Sequence, residues 1–216
     1  MKKVMIIGAS GFVGSAILNE ALNRGYQVTA VVRDPEKIKV KNDNLQVVKA
    51  DVMNFNELEE AMKGFDAVIS AFNPGWGNPN IYNETLKAYP TIINVAKKVG
   101  VKRLLIVGGA GSLLVTPDRR VMDEPDVPPQ LLPGIKALAE VYYTYLRPEH
   151  DIDWVFFSPA ANMTPGKRTG KFRLGRDYLV VDEKGDSNIS VEDYAAAMIN
   201  ELENPQHHKE RFTVGY

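Results

Sequence analysis

The chain contains no cysteine. That excludes disulfides, thiol nucleophiles and every metal or cluster site built on thiolates. Histidine is scarce too. His150, His207 and His208 are the only three, and their spacing fits no helical ligand pair, so no metal site is expected. G-x-S-x-G does not occur, which removes the usual frame of a serine hydrolase. No apolar run approaches the roughly 18 residues of a membrane span, and no signal-like segment precedes the first apolar strand. A cytoplasmic protein without membrane contact is the expectation. The net charge of −1 offers no electrostatic footprint for nucleic acid. Internal repeats and low-complexity segments are also missing.

What is present is a single-domain length of 216 residues with a strong signal near its start. Lys3-Val4-Met5-Ile6-Ile7 reads as a buried strand. Val13 to Leu22 reads as a helix with positions 13, 17 and 21 on its apolar face. Between them Gly8, Gly11 and Gly14 are spaced G-x-x-G-x-x-G. In a strand–turn–helix this spacing has a use for each glycine. Gly8 permits the tight turn, Gly11 lets backbone approach a diphosphate, and Gly14 lets helix and strand pack closely. Phosphates then meet the free N–H groups of the helix N-terminus.

The rest of the chain continues the pattern. Strands are expected at 27–32, 45–50, 67–71, 101–107 and 152–158, with helices at 54–64, 81–99 and 133–147. Pro90 should kink or restart the second of these helices. Short strands alternating with helices predict an α/β, doubly wound parallel sheet, a Rossmann-type fold. Residues 116–133, rich in Pro and Asp, read as a long loop. Beyond Pro159 the pattern loosens. Residues 172–174 and 178–181 read as short strands around Gly175, 191–203 as a helix capped by Ser190, and 212–214 as a last strand. Together 160–216 reads as a small substrate-side lid on one domain spanning 1–216.

The second strand ends Val31-Val32-Arg33-Asp34. An acid there would hold a ribose 2′-hydroxyl, whereas an arginine accommodates a 2′-phosphate, so Arg33 argues for NADP(H), with NAD(H) as the alternative. Asp34 could supply the acid but reads better as an N-cap before Pro35. In the loop after the fourth strand, Trp76 is either a cap over the sheet edge or, with Asn73, a wall of a substrate pocket. Lys167 and Arg168 are either a solvated basic loop or partners of a substrate anion.

These residues carry a resemblance. Residues 8–14, 31–34, Ala50-Asp51-Val52, Val101-Lys102-Arg103 and residues 189–195 together resemble the extended and atypical short-chain dehydrogenase/reductase superfamily. The nearest branch is that of NmrA-like and flavin-reductase-like NAD(P)-binding proteins, often labelled NAD-dependent epimerases or dehydratases. The resemblance implies that Ser10, Phe12 and Val13 contact the diphosphate, Arg33 the 2′-phosphate, and Asp51 and Val52 the adenine. It places Ala71 and Phe72 at the nicotinamide ribose, and Pro159, Ala160 and Asn162 near the nicotinamide or substrate.

Such enzymes use a Ser after the fifth strand and a Tyr-x-x-x-Lys on the next helix. Here Gly108-Gly109 stand in the serine's place, with Ser112 shifted downstream, and Lys136 matches the lysine. Four residues before it stands Leu132, which transfers no proton. Tyr142, Tyr143 and Tyr145 lie too far along and read as packing residues. Ser112 and Lys136 are therefore the candidate catalytic residues. Hydride transfer to a flavin- or quinone-like small molecule remains possible without an enzyme-supplied proton. The alternatives are a non-catalytic NADP(H) sensor with a protein partner and a nucleotide-sugar epimerase or dehydratase. Oligomeric state is left open.

Overall fold

The computed structural model describes residues 2–216. The first half runs β1 (Lys3–Ile7), α1 (Phe12–Asn23), β2 (Gln27–Val32), β3 (Leu45–Lys49), α2 (Phe55–Met62), β4 (Ala67–Ser70), α3 (Ile81–Lys98) and β5 (Arg103–Val107). The second half runs β6 (Leu114–Thr116), β7 (Arg119–Arg120), α4 (Leu132–Glu140), β8 (Asp153–Ser158), β9 (Asn162–Thr164), β10 (Arg173–Gly175), β11 (Asn188–Ser190), α5 (Val191–Glu203) and β12 (Glu210–Gly215). Eight strands join in the order β3-β2-β1-β4-β5-β8-β12-β10, all parallel except β10. The order reverses between β1 and β4, which opens a crevice at their carboxyl ends.

Both faces of the sheet are covered. Met5, Val68, Leu104, Trp154 and Phe156 point to the α2, α3 and α4 side. Ile6, Ile69, Leu105, Val155 and Phe157 point to the α1 and α5 side. Two-sided burial is why these strands are continuous apolar runs rather than alternating ones.

Several expectations are corrected. α3 runs unbroken through Pro90. Ala88, Tyr89, Ile92 and Ile93 are buried on either side of the proline, and their packing outweighs a penalty of about 3 kcal/mol. Thr91 also donates its hydroxyl to the Lys87 carbonyl (3.0 Å). Between β2 and β3 the chain makes only a 3₁₀ turn, Pro35–Lys37. The expected loop 116–133 holds the β6–β7 hairpin and two 3₁₀ turns. The helix expected to reach 147 is α-helical only to Glu140. A π-helical turn follows over Val141–Leu146, with Arg147 N–H donating to the Tyr142 carbonyl (3.0 Å). Tyr142 then stacks on Phe156, centroids 5.3 Å apart. Residues 178–181 form no strand; Tyr178 makes one isolated bridge to Leu114.

The C-terminal stretch is built into the fold more deeply than a lid would be. β12 is inserted between β8 and β10, and α5 packs against α1. A charged chain stitches that helix pair. Glu20 accepts from Arg24 (2.6 Å), Arg24 reaches Glu203 (2.8 Å), and Glu203 accepts from Lys2 (2.8 Å). A second network lies at the amino ends of β5 and β8. Arg103 donates to Asp153 and to Glu201, each at 2.6 Å, and Glu201 also meets the His207 ring (2.8 Å) and the backbone N–H groups of Gln206 and His207. His207, Phe212, Phe157 and Tyr194 form a stacked column with centroids 4.1–4.3 Å apart.

Glu201 is 4% exposed and Arg103 is 7% exposed. Removing one partner leaves the other charge buried without compensation. Glu201→Ala is expected to cost about 3–5 kcal/mol in urea unfolding, far more than Glu60→Ala, whose surface pair with Lys63 is of little consequence.

Candidate functional site

The glycine turn is built as its spacing predicts. Gly8 has φ +77°, and a Cβ there would lie 2.6 Å from the Ala71 carbonyl oxygen. A Cβ on Gly14 would lie 2.1 Å from the Gly8 carbonyl oxygen. Both positions exclude any side chain, so β1, the start of α1 and the end of β4 meet backbone to backbone. Gly11 is the N-cap of α1, and no side chain caps it. Exposed Ser10 and Phe12 and half-buried Val13 lie beside this uncapped first turn. An uncapped helix N-terminus after a glycine turn is the kind of place where a diphosphate can bind.

The other expected cofactor residues fall around the same sheet edge. Arg33 is exposed at the carboxyl end of β2 and makes no ion pair among the described residues. Asp34 is settled as a cap, its carboxylate accepting from Glu36 N–H (3.1 Å). Asp51 caps the turn before α2, accepting from Met53 N–H (2.9 Å), and Val52 is buried beside it. Ala71 N–H donates to the Ile7 carbonyl (2.9 Å), which ties the loop after β4 to β1. The Phe72 carbonyl accepts from Tyr89 (3.0 Å), whose phenol burial pushes up. Pro159 and Ala160 are buried at the end of β8, directly after Ser158, whose hydroxyl is buried and has no partner among the described residues. Nothing in the sequence marked Ser158, since a serine ending a strand is commonplace.

Three candidates are engaged elsewhere. Ser112 is 2% exposed, and its hydroxyl and carbonyl both accept from Arg211 (3.0 Å each). Arg211 also pairs with Asp177 (2.6 Å) and lies over the Tyr142 ring. Ser112 thus anchors its loop to Arg211. Arg168 binds Glu20 through two nitrogens, each at 2.8 Å, so its guanidinium holds a loop against α1. Asn73 uses its side-chain oxygen to accept from Gly75 N–H (2.7 Å), shaping the turn that carries Trp76. Asn162 is exposed on β9, which pairs with β11. Lys136 is exposed on α4, and Leu132 lies one turn before it.

Asp193 is the residue that sequence reasoning passed over. Fully buried at the start of α5, it accepts from Thr169 N–H (2.8 Å), Thr169 hydroxyl (2.6 Å), Gly170 N–H (2.7 Å) and Tyr216 hydroxyl (2.8 Å). Burial pushes its carboxyl up, but the donors from Thr169, Gly170 and Tyr216 outweigh it and hold the carboxyl below its ordinary value. The signal was an acid at the third helical position after a Ser N-cap, which also reads as ordinary capping.

Comparison with known proteins agrees with this geometry. A family profile described as NAD(P)H-binding matches residues 8–205. The uncharacterized protein YwnB of Bacillus subtilis is 44% identical over 98% of this chain and 97% of its own length. A Bacteroides thetaiotaomicron structure, described as a candidate epimerase, is 63% identical, covering 100% of this chain and 97% of that one with a TM-score of 0.94. A Streptococcus pneumoniae structure, described as a candidate NADH-flavin reductase, is 35% identical, covering 100% and 99% with a TM-score of 0.87. Among the described residues no helix is long and apolar enough to cross a membrane.

Gly14→Ala is expected to abolish dinucleotide binding in a fluorescence titration, because its methyl would occupy the 2.1 Å gap to the Gly8 carbonyl. Gly25→Ala, at φ +75° with open space around it, should cost only about 1 kcal/mol of stability and leave binding intact. Asp193 has a folded value below its unfolded one. Its stabilisation is therefore complete above the ordinary value of 3.8 and is lost as pH falls through the lower folded value. Urea midpoints measured from about pH 6 down to about pH 3 should fall more steeply for the unsubstituted protein than for Asp193→Asn.

Proposed function

The chain belongs to the NAD(P)H-binding oxidoreductase family, and on that premise we propose that it is an NADPH-dependent reductase of a small planar acceptor, flavin- or quinone-like. The observation that carries this reading is at α4, where Leu132 stands one turn before Lys136 and offers no proton. Ser112, the other candidate donor, is bonded to Arg211 and buried. A carbonyl or alcohol substrate would forgo a general acid worth roughly 10²–10⁴ in rate. An acceptor that takes its proton from water forgoes nothing.

In this reading the residues divide the work by binding and orientation. The α1 N-terminus and Gly11 hold the diphosphate, and Arg33 the 2′-phosphate. Asp51 and Val52 flank the adenine. Lys136 bonds the nicotinamide ribose, with Ala71, Phe72, Pro159 and Ala160 around the ring. When bound, the reduced nicotinamide supplies the hydride, and the acceptor takes that hydride together with one proton from solvent. The likeness to a candidate NADH-flavin reductase at 35% identity supports the choice of acceptor. The missing proton donor speaks equally against an epimerase that needs one, and equally for a cofactor sensor that turns nothing over.

Steady-state NADPH oxidation with FMN, FAD and 1,4-naphthoquinone decides between reductase and sensor. Turnover above the uncatalysed rate is expected with at least one; none across the panel, with NADPH bound, refutes the reductase. Arg33→Ala should raise the NADPH Kd about 10- to 100-fold, the value of a lost charge-assisted hydrogen bond, and leave NADH unchanged.

A further inference from the structure

The loop 71–80 touches both halves of the site. At one end the Ala71 carbonyl packs on Gly8. At the other, the benzo ring of Trp76 lies on Gly134, in the first turn of α4 and two residues before Lys136. A Cβ on Gly134 would sit 2.8 Å from Trp76 Cζ3, 3.2 Å from Cε3 and 2.7 Å from Ile81 Cδ1. Ile81 is buried at the start of α3. A side chain at 134 must therefore shift the indole, whose rigid ring it meets with two atoms, together with the Ile81 terminal methyl. Glycine is a poor helix former, and Gly134 has no positive φ to require it. The turn that presents Trp76 closes on itself, with Gly75 at φ +112° and Asn78 N–H donating to the Gly75 carbonyl (3.0 Å). Trp76 nevertheless stays 49% exposed. Core packing explains the seated edge of the ring and leaves the open half unexplained.

We infer that Gly134 is a specificity-determining residue. It seats the Trp76 indole, and the seated ring is the plate on which a planar aromatic acceptor stacks. The inference rests on the reductase reading, because the plate would hold that reaction's acceptor. Trp76 is then a wall of the pocket and not merely a cap.

FMN titrated into the protein saturated with NADP⁺, followed by FMN anisotropy, tests this. Gly134→Ala is expected to raise the FMN Kd about tenfold, the loss of one aromatic stack, with the NADP⁺ Kd unchanged within about twofold. Acrylamide quenching reads the ring directly, since Trp154 is 1% exposed and only Trp76 is accessible. Gly134→Ala should increase that quenching. Adding Trp76→Phe, a smaller ring, should return the FMN Kd to within about threefold of the starting protein, a coupling that a general loss of structure would not produce. An FMN Kd unmoved by both Gly134→Ala and Trp76→Ala overturns the inference, as does failure of the unsubstituted protein to bind FMN. Turnover of FMN with unmoved Kd values refutes the plate alone. Binding that the variants weaken, without turnover of FMN, FAD or 1,4-naphthoquinone, refutes the reductase reading alone.

Discussion

Two backbone contacts set the geometry on which everything else rests, Gly14 against the Gly8 carbonyl and Gly8 against the Ala71 carbonyl. Both are closer than any Cβ would allow. They fix the start of α1 relative to β1, and the end of β4 relative to both. The crevice between β1 and β4 owes its shape to this three-way contact. So does the exposure of the α1 N-terminus, which is uncapped by any side chain because the turn that leads into it is all backbone. A side chain added at either glycine would move the helix and the loop together, and with them both the phosphate cradle and the Trp76 turn.

The C-terminal stretch is held by charge, not by close approach. Glu20, Arg24, Arg168 and Glu203 fasten α1 to α5 and to the loop before β10. Buried Asp193 gathers residues 169–170 and Tyr216 around its carboxylate. Arg211 ties the loop after β5 to Asp177. These polar hubs make the C-terminal stretch part of the sheet and its cover. They also explain why a basic, glycine-rich segment is ordered at all. Arg168 meets the buried Glu20 carboxylate, Arg176 meets Glu210, and Arg173 donates to backbone carbonyls of Val181 and Tyr216.

This contrast marks what could be read from the sequence. The glycine turn was legible because its meaning is local. Strand, spacing and helix lie between Lys3 and Asn23, and the two-sided burial of β4 and β8 shows as unbroken apolar runs. Asp34 as a cap and Ser190 as a cap were legible for the same reason. Arg168 and Ser112 were not, because their partners Glu20 and Arg211 lie 148 and 99 residues away in the chain. Nor was the continuity of α3 through Pro90, since local propensity argues for a break and only the packing of Tyr89 and Ile92 overrides it. The π-helical turn follows the same rule. It is set by where Tyr142 meets Phe156 on β8, which periodicity along one helix cannot report.

Seen from the site, the local and long-range parts have different consequences for chemistry. The glycine turn is specified by backbone and can tolerate change only at the side chains around it, such as Arg33. The loops after β4, β5 and β9 spend polar side chains on protein partners: Asn73 on Gly75, Ser112 on Arg211, Arg168 on Glu20. What those loops leave open is chiefly apolar surface, the half-exposed Trp76 above all. A site whose polar side chains are consumed by structure has little left with which to move protons. It retains what the proposed planar acceptor would require, a flat apolar surface, in the half-exposed Trp76 ring.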